Sequence, residues 1–314
     1  MKRSSELFTM LMLAAGAASG GGAFVVGRIA VATTPPATLA AYRYVLALVL
    51  FAALLIATRT PWQRPSRGDA LRIGGMGLAV VAGYNLLFLQ GLRLAPAADG
   101  GLIVPGSAPT FSILLSGLIL RERPSRRALA GSAVAAAGIV IIFAAAGGFG
   151  PASPERRAGD LLYLAGGSMW GFFNVLARGL QGRVGPLVAN TYAAAAGFVV
   201  IAALALATER QAALSVPAPA TWLEAAYLAV FATVLLLWAN VRGVARLGVA
   251  RAAPFAYVAP VAAVTGSLVF LGEYVGVPVL LGGAIALFGT WIATSTMPLP
   301  ALRRRLPSAL GEVA

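Results

Sequence analysis

The sequence predicts an all-α integral membrane protein with ten transmembrane helices, built as two inverted five-helix repeats with both termini in the cytoplasm. Three observations carry this prediction. Hydrophobic residues make up 59% of the 314 residues and charged residues only 11%, with a mean hydropathy of +0.85, whereas a soluble domain has about 25% charged residues. Ten apolar runs alternate with turn-forming residues, and the second half of the chain repeats features of the first.

The ten apolar runs are each long enough to cross a bilayer, because a hydrocarbon core about 30 Å thick requires roughly 20 residues of helix. The predicted spans are 7–32, 37–57, 72–94, 97–120, 127–146, 159–180, 186–207, 221–242, 249–271 and 275–296. Gaps such as the one at Gly185-Pro186 hold turn formers, and none is long enough for a soluble domain. The first run follows Lys2 and Arg3 and also has the form of a cleavable signal peptide, but the internal repeat favours a retained helix.

The distribution of Lys and Arg predicts which side of the membrane the termini occupy. With a cytoplasmic N-terminus, 18 of the 24 basic residues fall in inner segments and five in outer ones, and Arg43 falls inside a span. Cytoplasmic loops carry the excess of basic residues in membrane proteins, so both termini are expected inside. This bias also accounts for the net charge of +14, and nucleic acid is therefore not an expected partner.

The internal repeat appears when the sequence is compared with itself at an offset of 151 residues. The matched pairs are Pro35 with Pro186, Pro109 with Pro260, Glu122 with Glu273, Gly131 with Gly282 and Gly138 with Gly289. Because each half holds five spans, the second half must enter the membrane from the opposite side, as in the inverted repeats of secondary transporters. We expect residues 1–146 to form the first repeat, 147–158 a periplasmic linker, and 159–314 the second repeat with a basic cytoplasmic tail.

Several function classes are disfavoured by what the composition lacks. There is no cysteine and no histidine, so thiol chemistry and the commonest metal ligand and proton shuttle are absent, and neither an enzyme nor a metal or other cofactor is expected. All ten acidic residues lie at or beyond predicted helix ends, which predicts little or no proton coupling, since proton relays use carboxylates within the membrane. Glu122 and Glu273 are interpreted as charges at the start of the fifth and tenth spans.

Candidate substrate-binding residues are polar or aromatic side chains near the predicted midplane. They are Tyr84, Asn85, Trp170, Asn174, Tyr257 and Arg43. Tyr and Trp normally lie at membrane interfaces, and buried amides need hydrogen-bond partners, so a wet cavity or a bound substrate would explain them. The alternative for the amides is hydrogen bonding between helices. Arg43 is the one basic residue well inside a span; it either attracts a substrate carboxylate or extends to the membrane surface.

Prolines inside predicted helices are candidate hinges, because proline removes a helix hydrogen bond. Pro105 and Pro109 lie in the fourth span and Pro260 in the ninth. The freed carbonyls need protein or cavity water in a bilayer. A hinge and a static packing kink are both open interpretations.

The duplicated order of these motifs resembles a known family. It comprises Gly91-Leu92-Arg93-Leu94-Ala95-Pro96-Ala97, Pro109, Leu120-Arg121-Glu122-Arg123, Gly131 and Gly138, then Trp170-Gly171, Pro186, Pro260, Leu271-Gly272-Glu273, Gly282 and Gly289. The chain resembles the drug/metabolite transporter superfamily, ten-helix EamA type, and within it the aromatic amino-acid exporters (the YddG-like proteins). Arg43 departs from the repeat, since Ala194 stands at the matching position.

The resemblance implies a secondary transporter of the bacterial inner membrane that exports small neutral or zwitterionic metabolites, including aromatic amino acids. It implies alternating access around a midplane cavity enclosed by helices one to four and six to nine. A small-molecule substrate and the lipid bilayer are the expected partners, and the oligomeric state is left open. The alternatives are a drug or other metabolite exporter, or a membrane scaffold that transports nothing.

Overall fold

Ten long helices account for most of the structure. The computed structural model describes residues 2–145 and 153–295, and all regular structure in these residues is helical. The helices are α1 Lys2–Ala30, α2 Pro36–Ala57, α3 Arg67–Leu94, α4 Ala97–Ile119, α5 Arg126–Ala145, α6 Pro154–Arg178, α7 Pro186–Thr208, α8 Pro219–Leu247, α9 at 249–270 and α10 Val277–Thr294. A short helix, Arg210–Leu214, lies between α7 and α8.

The observed helices agree closely with the predicted spans, each of which overlaps one of them. Nine helices of the described chain are long and apolar enough to cross a membrane. The tenth, α6, has 25 residues, which is long enough at 1.5 Å per residue. However, its first two turns carry four charged residues. They are Glu155, Arg156, Arg157 and Asp160. The predicted linker 147–158 falls partly, and the basic tail wholly, outside the described residues.

Hydrogen bonds between loops define two ends of the bundle. We call the end at which α1 begins and α10 ends the near face, and the other end the far face. At the near face, Gln63 in the α2–α3 loop accepts from the Gly185 amide in the α6–α7 loop, with 2.7 Å between Oε1 and N. At the far face, the hydroxyls of Thr34 and Thr221 lie 3.1 Å apart and join the α1–α2 loop to the start of α8.

The two halves of the chain pack mainly against each other, and most of the contacts come in matched pairs. The principal pairs are α1 with α8 and α9, α3 with α6 and α7, α2 with α7 and α8, α4 with α6, α9 and α10, and α5 with α10. Adding or subtracting five converts α4–α6 into α9–α1, α3–α6 into α8–α1, and α3–α7 into α8–α2. The α2–α7, α4–α9 and α5–α10 contacts convert into themselves, whereas the α4–α10 contact has no comparable α5–α9 counterpart in the described residues.

Helices α3 and α8 each contain a π-helical segment that sequence reasoning did not predict. The segments are Gly77–Tyr84 and Val230–Leu235, and they occupy matching positions at the repeat offset of 151 residues. A π segment shifts the backbone hydrogen bonds by one residue and is frequently found at functional sites. Two side chains bond carbonyls five residues earlier: Asn85 donates to Val80 at 2.7 Å and Thr233 donates to Leu228 at 2.9 Å.

The candidate hinge prolines all lie within helices. Pro105 and Pro109 are inside the uninterrupted helix α4. Pro260 is buried in the first turn of the α-helical part of α9, which follows a 3₁₀ segment, Ala253–Tyr257. The irregular backbone of α9 therefore lies next to its proline. Their role as hinges stays a prediction.

Two carboxylates from the second half close the far face by capping helices of the first half. Glu209 accepts hydrogen bonds from the Ala37 and Thr38 amides at 3.2 and 2.7 Å, at the start of α2. Glu273 accepts from the Ala97 and Ala98 amides at 2.9 and 3.1 Å, at the start of α4. A carboxylate at a helix N-terminus satisfies unpaired amides and the helix dipole.

The sequence interpretation of the two repeated glutamates is corrected by these contacts. Glu273 caps α4, not the tenth helix that follows it in the chain. Glu122 pairs with Arg178 at the end of α6, with 2.8 Å between oxygen and nitrogen. Each carboxylate thus contacts the other half of the protein, which local sequence cannot indicate.

Removing the Glu209 cap should loosen the far face. Losing a helix cap costs about 0.5–2 kcal/mol, which corresponds to a roughly 2- to 30-fold higher population of opened forms. The natural chain has no cysteine, so a single Thr34→Cys reporter measures opening through its rate of reaction with a membrane-impermeant maleimide. We expect Glu209→Ala to accelerate labelling by that factor. Glu155→Ala, at an exposed acidic residue of the same face, is the matched control, and equal rates in both variants would contradict the assignment.

Candidate functional site

A cavity of about 170 Å³ lies between the two halves, at the level of both π segments. Its walls come from α2, α3, α6, α7 and α8. Four of the predicted substrate-binding residues line it, namely Arg43, Tyr84, Asn85 and Trp170. The remaining polar and aromatic lining residues, which sequence reasoning did not select, are Tyr44, Phe51, Phe173, Asn190, Thr233 and Asn240.

Arg43 is buried in this cavity, with 6% of its surface exposed, so it does not extend to the membrane surface. Its Nη1 donates to Asn85 Oδ1 at 2.8 Å, and its Nε and Nη2 donate to Thr233 Oγ1 at 3.1 and 2.8 Å. Asn85 follows one π segment and Thr233 lies in the other, so both halves hold the guanidinium. The two acceptors are neutral, and no carboxylate forms an ion pair with Arg43 in residues 2–145 and 153–295.

The electrostatic consequence is a buried cation without an anion. A guanidinium has five N–H donors, and three hydrogen bonds to protein are present in the described structure. A buried charge without a partner of opposite sign carries a desolvation penalty of several kcal/mol. The site is therefore suited to a carboxylate, which binds arginine through short charge-assisted hydrogen bonds.

Aromatic rings form one wall of the cavity. Tyr84 and Trp170 meet edge to face with ring centroids 4.9 Å apart, and Phe88 stacks on the other side of Tyr84 at 5.5 Å. Trp170 also lies 6.1 Å from the Phe173 ring. Within the described residues, the Tyr84 hydroxyl and the Trp170 indole N–H make no hydrogen bond to protein. These two groups can bond to water or a solute, while the rings bury its apolar part.

The end of the cavity toward the near face is marked by two amides. Asn190 lies in the first turns of α7, and Asn240 lies in the last turns of α8, where it is exposed. Each donates its Nδ2 to a carbonyl of its own helix, Pro186 or Leu236. Their Oδ1 atoms accept no hydrogen bond from the described residues and can accept from a solute. The lining contains no Asp or Glu.

Two predicted binding residues lie outside this cavity. Asn174 donates to Ser112 Oγ at 3.2 Å and so links α6 to α4, which is the interhelical alternative for amides. Tyr257 lies in the 3₁₀ segment of α9 and does not line the cavity. Depth along a helix does not determine which side of the helix faces the cavity.

The protein matches a transporter family over both of its halves. The family described as EamA-like transporters matches residues 7–144 and again residues 157–295. The chain belongs to the EamA-like transporter family. It is therefore a multi-pass transport protein of the bacterial inner membrane, as the resemblance in the sequence implied.

This EamA-family protein is similar to several described bacterial proteins. It is 30% identical to the uncharacterised inner membrane transporter YedA of Escherichia coli K12, over 78% of this chain and 76% of that one. It is 30% identical to a probable terminal-alkyne amino-acid exporter of Streptantibioticus cattleyicolor, over 73% and 75%. It is 34% identical to the aromatic amino acid exporter YddG of Ancylobacter novellus, over 38% of each chain.

Proposed function

We propose that this EamA-family protein exports small neutral or zwitterionic amino acids, including aromatic ones, by alternating access around the cavity. The observation that carries the proposal is Arg43, a buried cation without an anionic partner in the described structure, beside an aromatic wall. An aromatic amino acid offers a carboxylate for the guanidinium and a ring for Tyr84 and Trp170. The amide oxygens of Asn190 and Asn240 can accept hydrogen bonds from its ammonium group.

The size of the cavity supports a small metabolite over a drug. Sites for drug-sized ligands measure roughly 300–1,000 Å³, whereas this cavity measures about 170 Å³. A drug or larger metabolite would require the walls to separate further, and this remains the alternative substrate class. A scaffold that transports nothing does not require a cavity with a buried cation, so the cavity favours transport.

The paired helix contacts support alternating access. Exchange of each helix with its partner five positions later preserves most of the principal contacts between the halves, with α4–α10 as the exception, and an inverted repeat would produce this pattern. The far face is closed by Glu209 and Glu273, while the cavity extends toward Asn190 and Asn240 at the near face. Since the basic residues favour a cytoplasmic near face, this arrangement corresponds to a state that loads substrate from the cytoplasm for export.

Two relatives support amino acids as the substrate class, because one is described as a probable terminal-alkyne amino-acid exporter and the other as an aromatic amino acid exporter. The absence of Asp and Glu from the cavity lining favours a second candidate, an aromatic monocarboxylate without an amino group. Such a solute would neutralise Arg43 and leave no ammonium to be accommodated. Both candidates share the carboxylate and the ring.

The test is counterflow of radiolabelled solutes in proteoliposomes, with phenylalanine, 3-phenylpropionate and a neutral aliphatic amino acid compared side by side. We expect saturable flux of phenylalanine and an approximately 10-fold loss of apparent affinity in Trp170→Ala, because about 1.4 kcal/mol of ring burial and edge contact is removed. Trp291→Ala is the control, since Trp291 on α10 is 43% exposed and outside the cavity. Flux of phenylpropionate alone would select the second candidate, and no flux of any carboxylate would refute both.

A further inference from the structure

A second cluster of charged groups lies at the far face, away from the cavity. Asp99, in the first turn of α4, is 1% exposed. It accepts hydrogen bonds from Arg156 on α6, with 2.7 Å between Oδ2 and Nε and 3.0 Å between Oδ1 and Nη2. Asp160, one turn after Arg156, is 2% exposed. Neither of its carboxyl oxygens accepts a hydrogen bond from any donor of the described residues.

The position of Asp160 corrects an expectation from the sequence. The predicted sixth span began at residue 159, which placed Asp160 at a helix end. The helix begins instead at Pro154, so Asp160 is enclosed in its second turn against α4. Asp99 is likewise enclosed. Three acidic residues of the described chain are buried, Asp69, Asp99 and Asp160, and the prediction that the protein has little or no proton coupling stays a prediction.

The two buried carboxyl groups belong to one cluster around Arg156. Arg156 donates two hydrogen bonds to Asp99, which favour the ionised form of Asp99, and Asp160 follows Arg156 by one turn of α6. Asp160 accepts no hydrogen bond in the described structure, and an ionised carboxylate buried without a partner is strongly disfavoured. The negative charge of Asp99 disfavours it further. The proton therefore belongs on Asp160.

The remaining charged groups around the pair do not alter this assignment. On the second half, Glu273 faces the pair, but its carboxylate is engaged by the amides at the start of α4. From α1, Arg28 donates to the Leu92 carbonyl. On α6 itself, the Tyr163 hydroxyl donates toward the Ala95 and Pro96 carbonyls at 3.3 and 3.2 Å. Arg93 at the end of α3 is exposed. Among the described residues, Arg156 is the cation that pairs with Asp99 directly.

We propose that Asp160, beside Asp99, is a proton-binding site that latches the far face closed. While Asp160 keeps its proton, it is neutral and α6 packs against α4 without repulsion from Asp99. When the proton leaves to solvent, a second buried carboxylate stands beside Asp99, and the repulsion between them favours separation of the two helices. The far face then opens more readily at high pH. This proton site does not depend on the identity of the solute, although its effect on export rests on the proposed alternating access.

The latch is confined to one face of the protein. At the repeat offset of 151 residues, Thr9 stands at the position of Asp160 and Ala250 at the position of Asp99. No carboxyl pair can therefore form at the matching place on the near face. Protonation would bias the equilibrium between the two faces in a single direction, toward the state with the far face closed.

The proton is tested directly in the unmodified chain. The sequence contains three aspartates, Asp69, Asp99 and Asp160, so [4-¹³C]aspartate gives three carboxyl signals in an NMR titration. Asp69 is the internal control, because its carboxyl group pairs with Arg183 at 3.0 Å. We expect one signal to remain protonated at pH 7 and to be absent from Asp160→Asn. Three ionised signals at pH 7 would overturn the proposal.

The latch is tested by distance measurement between spin labels at two exposed far-face positions, Arg93→Cys on α3 and Ala158→Cys on α6. We expect the distance to lengthen as the pH rises in the parent protein. In Asp160→Asn, which is neutral at every pH, it should stay short. Glu155→Gln is the matched control and should respond to pH as the parent does. A distance independent of pH in the parent, or a pH response retained in Asp160→Asn, would refute the latch. Neither readout uses a transported solute, so both are independent of the proposed substrate.

Discussion

Arg43→Gln is expected to lower phenylalanine flux below saturation by about 10- to 100-fold. The reason is that hydrogen bonds to a charged group contribute about 1.5–3 kcal/mol, which corresponds to this factor in affinity. Arg43→Lys keeps the charge but loses the planar fork that binds a carboxylate at two points, so it should recover only part of the flux. The measurement is initial-rate counterflow in proteoliposomes.

The stability of the variant separates this loss from misfolding. Arg43 carries no ion pair in the described structure, and replacing a buried charge by a neutral amide removes a desolvation penalty. We therefore expect Arg43→Gln to unfold in detergent at the same temperature as the parent or a higher one. Thr233→Ala, which removes an acceptor of Arg43 but keeps the charge, should reduce flux less than Arg43→Gln. A variant that transports phenylalanine at the parent rate would show that Arg43 does not contact the solute.

Gly138→Val is expected to destabilise the protein by several kcal/mol. Helices α5 and α10 cross with their backbones in contact at four glycines, which are Gly131, Gly138, Gly282 and Gly289. A Cβ on Gly138 would overlap the Ala286 backbone nitrogen and the Gly282 carbonyl oxygen. Overpacking of a close-packed core costs typically about 1–3 kcal/mol, and here the obstacle is backbone, which cannot adopt another rotamer. Small residues allow such close approach of membrane helices.

The measurement for Gly138→Val is thermal unfolding of the purified protein in detergent, monitored as the fraction that stays monodisperse after heating. Gly74→Ala in α3 is the control, because a Cβ there meets no atom within 4 Å. That variant should be neutral or more stable by up to about 1 kcal/mol, since alanine favours helix over glycine. An equally mild effect of Gly138→Val would mean that the α5–α10 contact is looser than the structure has it.

The helices were predictable because membrane spans have a simple physical signature. Apolar length and turn residues located all ten, with the starts of α1, α3 and α6 each five residues earlier than predicted. The sequence placed Arg156 in the linker and Asp160 at the start of the sixth span, since charge normally marks the end of a span. In the structure Arg156 forms an ion pair with Asp99 on a different helix, and no local pattern indicates that partner.

The candidate site was only partly predictable. Arg43 and Trp170 were found because a charge and a large polar ring are unusual at mid-depth. Asn190 and Asn240 were missed because they lie near the ends of the predicted seventh and eighth spans, and only residues near the midplane were selected. Tyr257 was selected for its depth, but it does not line the cavity. The sequence does not show how each helix is rotated about its axis, because that rotation depends on packing against side chains of other helices.

The most direct test of the central claim, that Arg43 binds the carboxylate of an aromatic solute in this cavity, is equilibrium competition against radiolabelled phenylalanine on the purified protein. The competitors are phenylalanine and phenethylamine, which keeps the ring and the ammonium but lacks the carboxylate. The structure predicts that phenethylamine binds at least about 10-fold more weakly to the parent protein, and that this difference disappears in Arg43→Gln. Equal competition by the two compounds in the parent protein would contradict the claim.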